Sequence, residues 1–543
     1  MYKIVFKIEG GEDVNIFAAG GETVLELARK AGVPIDAPCA GNGTCGKCLV
    51  KIETSGPGSD IVSREWQLAC QTVMFSDGTI SALFRNPLLE TEIIKDFGSV
   101  DAITDTFLSS TFGLAVDIGT TTVSAMLVGL ETGKIYAKKT VGNRQIIYGA
   151  DVINRIIEQQ KPGGIQNLQK AIIQDTLLPL IDDLCKSADV PHDKIIKMTI
   201  AANTTMNHLL LGVDANSIRI EPYEPTFLEF DIRDPASIGI DLAPSAEMLI
   251  APNIGSYVGG DITAGILSAG ELMSEMTLFI DLGTNGEIVF GNGEFLMACA
   301  CSAGPAFEGG DISCGMRATE GAVERFVIDK ETMIPELTVI GNGKPVGLCG
   351  SGLVDVVAEL FCNGIIDGKG KFCDNSTLPE VSGRILYDEY GTGSYILIFA
   401  ADSATGEDIT ITEVDIDNFI RAKAAIFSGI ISLLSPLGLT PADIDDVFIA
   451  GGIGSGIDIK NAISIGMLPA LDEEKYRYLG NTALDGAFSM LLQLHSEQAL
   501  EMVNDLARNM TYIDLSSTPG YMDEFIAACF LPHTDEKLFA SVP

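Results

Sequence analysis

The stretch DIGTTT, Asp117–Thr122, lies between two apolar runs, GLAV (113–116) and VSAMLVG (123–129). Its reading is strand, tight polar turn, strand, with a third strand in KIYAKKT (134–140). Nearly the same pattern returns in LFIDLGTNGEIVFGNGEFLMACA, where DLGTNGE occupies Asp281–Glu287. A β-hairpin with Asp-x-Gly-Thr at its tip thus occurs twice, which implies two similar lobes facing each other.

A Gly-Thr tip can bring backbone N–H groups and hydroxyls against phosphate oxygens, and the preceding Asp can hold Mg²⁺ directly or through its waters. Two such tips would grip the phosphates of one nucleotide from opposite sides. A third element, DVFIAGGIGSG (Asp446–Gly456), is a strand running into a glycine-rich turn that lets backbone approach a flat purine and its ribose. Each element alone is weak, because glycine turns after strands are common. Together they look like the phosphate-1, phosphate-2 and adenosine motifs of the actin, Hsp70 and sugar-kinase superfamily. No Walker A pattern is present, which removes the P-loop alternative.

Other segments fit between these anchors. TIAANTTMNHLLLG is a strand and a helix, with Asn203 to Thr205 supplying N-caps. His208 on that apolar helix reads as a core histidine. NIGSYVGGDITAGILSAG opens a helix at Gly259, Gly260 and Asp261, and CGSGLVDVVAEL opens another at Gly350, Ser351 and Gly352, whose N–H groups could reach a nucleotide. NTALDGAFSMLL reads as the helix after the adenosine turn. Cys299, Cys301, Cys314, Cys349, Cys362 and Cys373 read as small buried apolar residues.

The amino-terminal part has another chemistry. Four of the 12 cysteines fall at Cys39-x5-Cys45-x2-Cys48-x21-Cys70. Four thiolates can hold tetrahedral zinc or an iron–sulfur cluster. Zinc sites usually pair two short-spaced knuckles, and only Cys45 and Cys48 form one. Haem attachment would need a His where Leu49 stands, and a redox pair would not explain Cys39 or Cys70. Gly41, Gly43 and Gly46 let a loop wrap tightly and aim N–H groups at sulfides. Around it, GETVLELARKAG reads as a turn and short helix with Val24, Leu25, Leu27 and Ala28 on its apolar face, and LVKIET and TISALF read as strands. Residues 1–88 resemble a plant-type [2Fe–2S] ferredoxin, although the first gap is five residues where the plant spacing has four. The resemblance makes Cys39, Cys45, Cys48 and Cys70 the iron ligands of a carrier near about −400 mV. Trp66, the only tryptophan, is expected near the cluster loop.

Residues 89–112 mix acidic, Ser/Thr and isolated apolar residues and read as a linker with one helical turn. The whole chain of 543 residues carries a formal charge of −39, without the basic clusters that phosphate-backbone contacts need, so nucleic acid is a poor partner. The acidity fits solubility or electrostatic choice of a protein partner. No stretch approaches eighteen uninterrupted apolar residues, so no membrane span is expected. MYKIVFKIEGGEDVNIF alternates like a strand and has no secretory h-region, which points to the cytoplasm.

A one-electron carrier fused to a nucleotide clamp suits ATP-assisted reduction, since each ~59 mV uphill costs one electron a tenfold equilibrium factor. The whole chain resembles the reductive activators of corrinoid proteins, through this domain pairing and through YGADVINRI, ANTTMNHLLLG, CSAGPAFEGGDISCGM, CGSGLVD and FLPHT. The resemblance implies an α+β, β-grasp [2Fe–2S] domain (1–88), a linker (89–112), and a two-lobed α/β actin-like, ribonuclease-H-like ATPase core: lobe I (113–270), and lobe II with a C-terminal extension (271–543). It implies ATP-dependent reduction of Co(II) to Co(I) in a corrinoid methyltransferase protein of an anaerobe, a low-potential electron donor, and homodimerisation. Asp117, Gly119, Thr120, Thr121, Thr122, Asp281, Gly283, Thr284 and Asn285 would hold Mg–phosphate. Gly350, Ser351, Gly451, Gly452 and Gly454 would face the nucleotide, and Asp281 or Glu287 would orient the attacking water. Three rivals stand beside this reading. They are an activator of another low-potential enzyme such as a dehydratase, a sugar or acid kinase, and an ATP-gated redox sensor or chaperone.

Overall fold

The computed structural model describes the chain except residues 9–12, 34, 36, 38–40, 42–47, 55–63, 82–108, 284, 374–380, 382, 453–455 and 540–543. It divides into two compact units, 1–261 with 487–502, and 262–486 with 503–543.

The first unit begins with a five-stranded sheet in the order β2-β1-β5-β3-β4, formed by β1 (Tyr2–Lys7), β2 (Val14–Ala18), β3 (Leu49–Thr54), β4 (Arg64–Leu68) and β5 (Gly78–Ser81). β1 and β5 are parallel and the other pairs antiparallel, so the sheet is mixed. Helix α1 (Val24–Ala31) starts at a capping box between Thr23 and Glu26 and ends on Gly32 in the left-handed region. Its Val24, Leu25, Leu27 and Ala28 are buried, as their spacing predicts; each large side chain contributes about 2 kcal/mol. Strand β4 is not evident in the sequence, because REWQL alternates weakly. It pairs Trp66 with Lys51; the expected surroundings of the Trp66 side chain lie outside the described residues.

The same unit carries a second five-stranded sheet, β10-β9-β6-β7-β8. Strands β6 (Phe112–Ile118), β7 (Thr122–Gly129) and β8 (Ile135–Gly142) form an antiparallel meander, and β9 (Ile195–Ala202) and β10 (Glu247–Ile250) add in parallel beside β6. Helices α2 (Val152–Gln159), α3 (Gly164–Ile172), α4 (Leu178–Ala188), α5 (Thr204–Leu210) and α6 (Asn216–Arg219) accompany it, and α7 (Gly260–Ala269) follows. Only the end of the expected linker is described. There Phe112 already belongs to β6, and the Ser110 and Thr111 hydroxyls donate to Glu131. The unit is completed from far along the chain. Lys197 Nζ donates to the Gln493 carbonyl and Thr199 Oγ1 to that of Ala487, each over 2.7 Å.

The second unit repeats the plan. β11 (Thr277–Leu282), β12 (Gly286–Gly291) and β13 (Leu296–Cys301) form the meander. β14 (Ala322–Ile328), β15 (Pro335–Val339) and β16 (Gly347–Leu348) form a small sheet that leads into α8 (Gly350–Cys362). β17 (Ile385–Tyr387), β18 (Gly393–Ile398) and β19 (Ile409–Thr412) form another, leading into α9 (Glu413–Leu434). β20 (Asp446–Ala450) then lies parallel to β11, as β9 does to β6. α10 (Ile459–Ser464), β21 (Tyr476–Gly480), α11 (Thr482–Leu492), α12 (Ser496–Arg508), β22 (Met510–Tyr512) and α13 (Tyr521–Ala528) complete the chain. The large sheet runs β21-β20-β11-β12-β13-β22. Helix α11 is therefore not the first element after the glycine turn, since α10 and β21 intervene. Among the described residues, α9 is the one helix long and apolar enough to cross a membrane, and its residues are the core of this unit. Lys423 on α9 is wholly buried and donates to the carbonyls of Phe530 (2.6 Å) and Pro532 (2.7 Å).

Candidate functional site

In the cysteine module, Cys39 and Cys45 lie outside the described residues. Cys48 is 1% exposed, and its sulfur is 3.3 Å from that of Cys70. Two thiolates at that separation can ligate one metal, so the described half of the donor set fits a four-thiolate cluster. Gly41 has φ +96°, and a Cβ there would sit 3.0 Å from Leu25 Cδ2 and 3.7 Å from Cys70 Cβ. This glycine lets the loop lie against α1 and Cys70 together.

The first hairpin tip is tight. Gly119 N donates to Thr122 O over 2.9 Å, and a Cβ on Gly119 would lie 2.8 Å from that oxygen. Asp117, one residue before the end of β6, is half-buried, Thr120 is buried, and Thr121 and Thr122 reach solvent. Behind the tip stand Asn143 and Arg155, which sequence reasoning missed. Asn143 Nδ2 donates to Gly119 O (2.9 Å) and Arg155 Nη2 to Thr120 O (2.6 Å). Asn203, the N-cap of α5, donates to Thr120 Oγ1 (3.0 Å). One signal was present for Arg155, which shares the apolar stripe of α2 with Val152 and Ile156. His208 is a core histidine, as expected. Burial lowers its pKa; Nδ1 meets the Thr204 carbonyl and Nε2 accepts from Thr226 N–H, which defines the neutral Nδ1–H tautomer.

In the second unit, Asp281, one residue before the end of β11, stands opposite Glu287 on β12, so both side chains share one face of the sheet. Asp281 is half-buried and Glu287 buried. Gly283 N donates to Asn285 O over 3.0 Å across the turn, and Thr284 lies outside the described residues. Gly451, with φ +90°, follows β20; a Cβ there would meet Leu282 O at 2.4 Å and Asp281 Oδ1 at 2.6 Å. The glycine turn and the second Asp-x-Gly-Thr hairpin are thus packed together. Gly452 is exposed, Gly454 is outside the described residues, and a Cβ on Gly456 would meet Ser351 Oγ at 3.2 Å. Gly350 and Ser351 are buried at the N-terminus of α8, where N–H groups have no intrahelical acceptor. Asp355 on α8, its pKa raised by burial, accepts from Asn461 Nδ2 (2.7 Å) and Phe326 N (3.2 Å). Arg325 bridges it to Asp458, the N-cap of α10. That network, also unforeseen, fixes α10 relative to α8 around the turn.

Cys299, Cys301 and Cys349 are buried as expected. Cys362 is exposed and Cys314 and Cys373 partly so, because each sits at an element end or in a loop.

Residues 112–274 match the family model described as "RACo middle region", residues 275–543 that of the "C-terminal domain of RACo the ASKHA domain", and residues 7–74 a "2Fe-2S iron-sulfur cluster binding domain". A solved structure, "Reductive activator for corrinoid,iron-sulfur protein", is 36% identical with a TM-score of 0.71, covering 100% of both chains. The chain belongs to the reductive activators of corrinoid proteins. It is also 28% identical to the "Corrinoid activation enzyme RamQ" of Eubacterium limosum, over 93% of this chain and 95% of that one. A "[Co(II) methylated amine-specific corrinoid protein] reductase" of Methanosarcina barkeri is 23% identical, over 74% and 73%. In this activator the ferredoxin-type fold and the ASKHA fold stand as the sequence predicts.

Proposed function

We propose that this activator uses Mg–ATP to pass one electron from a low-potential donor to the cobalt of a corrinoid methyltransferase protein, returning Co(II) to Co(I). The observation that carries the reading is the union, in one chain, of closely set thiols (Cys48 and Cys70) with two Asp-x-Gly-Thr hairpins. When bound by Cys39, Cys45, Cys48 and Cys70, a [2Fe–2S] cluster supplies single electrons near about −400 mV. One electron enters from the donor and one leaves to cobalt, while ATP becomes ADP and phosphate.

The chain's own residues do the rest. Asp117 and Asp281 would hold Mg²⁺ directly or through its waters, and Gly119 to Thr122 and Gly283 to Asn285 would offer N–H groups and hydroxyls to phosphate. Gly451, Gly452 and Gly454 would let backbone lie against adenosine, with Gly350 and Ser351 contributing N–H donors. Asp281 or Glu287, which face each other across β11 and β12, would orient the attacking water. The acidic surface favours approach by a partner with a basic face.

Anaerobic visible spectroscopy tests this. The reduced protein is mixed with a Co(II) corrinoid protein, with and without Mg–ATP. Growth of the Co(I) band only with ATP supports the proposal. A loaded cluster with no ATP effect across several corrinoid partners rejects it in favour of a sensor or another target.

A further inference from the structure

The first hairpin tip is held from behind by side chains that cannot touch a nucleotide. Arg155 and Asn143 are each 0% exposed. The Arg155 guanidinium donates from Nη2 to Thr120 O at 2.6 Å, from Nε to Gly149 O at 2.9 Å, and from Nη1 to Gln145 Oε1 at 3.1 Å and to Met206 Sδ at 3.4 Å. Gln145 is itself fixed, its Nε2 donating to Leu168 O at 2.9 Å. Asn143 grips the tip twice, with Nδ2 on Gly119 O (2.9 Å) and its own N–H on Thr121 O (2.8 Å). Gly149 makes the arrangement possible, because a Cβ there would lie 2.8 Å from Asn154 Cβ and 3.0 Å from Arg155 N.

A trans peptide is planar, with its C=O and N–H pointing in opposite directions. Holding the Gly119 carbonyl toward Asn143 turns the Thr120 N–H the other way. Holding the Thr120 carbonyl toward Arg155 does the same to the Thr121 N–H. We propose that Arg155 is the positioning residue of this hairpin: with Asn143 it aims the Thr120 and Thr121 amides at a nucleotide phosphate, and its buried guanidinium adds a fixed positive charge behind them. The inference rests on the reading of the hairpin as a phosphate site. A guanidinium suits the role because its planar fork reaches three acceptors at set angles, which an ammonium cannot. Preorganised donors of this kind cost no reorientation when the anion arrives.

The test uses the full-length, cluster-loaded protein and calorimetric titration with Mg–AMPPNP, comparing wild type, Arg155→Met and Arg155→Lys. The expected result is affinity at least about tenfold weaker in R155M, with R155K between the two because one donor and the charge survive. Cluster absorbance should be unchanged in both. Wild-type affinity in folded R155M overturns the inference. Failure of wild type itself to bind Mg–AMPPNP instead removes the nucleotide reading on which it rests. If R155M does not fold, hydrogen exchange of the wild type decides. Protection of the Thr120 and Thr121 amides on saturation with Mg–AMPPNP is expected, and unchanged exchange there overturns the proposal.

Discussion

Cys301 donates its thiol hydrogen to the main-chain carbonyl of Gly286 over 2.8 Å, from β13 to the first residue of β12. The pair lies at the root of the second Asp-x-Gly-Thr hairpin, and both partners are buried. Burial raises the Cys301 pKa far above the usual thiol range, so the sulfur stays protonated and donates.

A Cβ on Gly286 would lie 2.8 Å from that sulfur. Gly286→Ala should therefore destabilise the protein by about 1–3 kcal/mol through overpacking. Cys301→Ala removes the obstruction, so the double variant should lose less than the sum of the singles by at least about 0.5 kcal/mol in denaturant titrations. Additive losses would show that the sulfur is not what Gly286 accommodates. Cys301 should also resist iodoacetamide in the folded protein.

Gly451 and Gly452 offer a paired comparison. Gly451 has φ +90° and no room beside Leu282 O and Asp281 Oδ1, while nothing lies within 4 Å of a Cβ on Gly452. Gly451→Ala should cost about 1–3 kcal/mol and weaken Mg–ATP binding by about tenfold or more. Gly452→Ala should stay within about 0.5 kcal/mol of wild-type stability. Thermal melts and nucleotide titrations check both.

The cysteine module should be separable from the nucleotide site. Cys48→Ser or Cys70→Ser should abolish the visible cluster bands or shift them strongly, and lower ATP-dependent cobalt reduction by at least about 100-fold. Mg–ATP affinity should remain within about twofold, since no predicted nucleotide residue falls in the module. Intact bands in both variants would remove Cys48 and Cys70 from the ligand set.

Lys423 predicts a pH dependence of stability. Burial lowers its pKa from 10.5 to about 7, against which Cys529 offers a small opposing pull. The folded protein thus gives up this proton before the unfolded chain does. The resulting contribution is present above pH 10.5 and lost as pH falls through about 7. The unfolding free energy of wild type minus Lys423→Met should rise between pH 7 and pH 10, by at most about 1.4 kcal/mol per pH unit. A flat difference over that range would show that Lys423 titrates normally.

Much of this was legible because it rests on local pattern. Both hairpins, α1 with its buried Val24, Leu25, Leu27 and Ala28, and the cap at Asn203 follow from alternation, 3.6-residue spacing and short polar residues at helix starts. What escaped depends on contacts between distant residues. Arg155 meets Thr120 only once α2 has packed behind the meander, and Asp355, Arg325 and Asp458 meet only when three elements converge. REWQL has a weak strand pattern, and pairing with β3 defines it. The sequence places α11 directly after the glycine turn because the short α10 and β21 carry little periodic signal.

Completing the first unit from residues 487–502 has a kinetic cost during synthesis. Lys197 receives the Gln493 carbonyl as partner only after 296 further positions have been made. At about 5–20 residues per second, that is roughly 15–60 s. Through that interval the face of β9 that will meet α11 is without its cover, while the strands of the second unit are already emerging. Two meanders of like pattern then coexist half-finished on one nascent chain, where strand mispairing competes with correct closure. Chaperone demand should accordingly fall on this stage of translation, and a fragment ending at residue 261 should aggregate where the full chain does not.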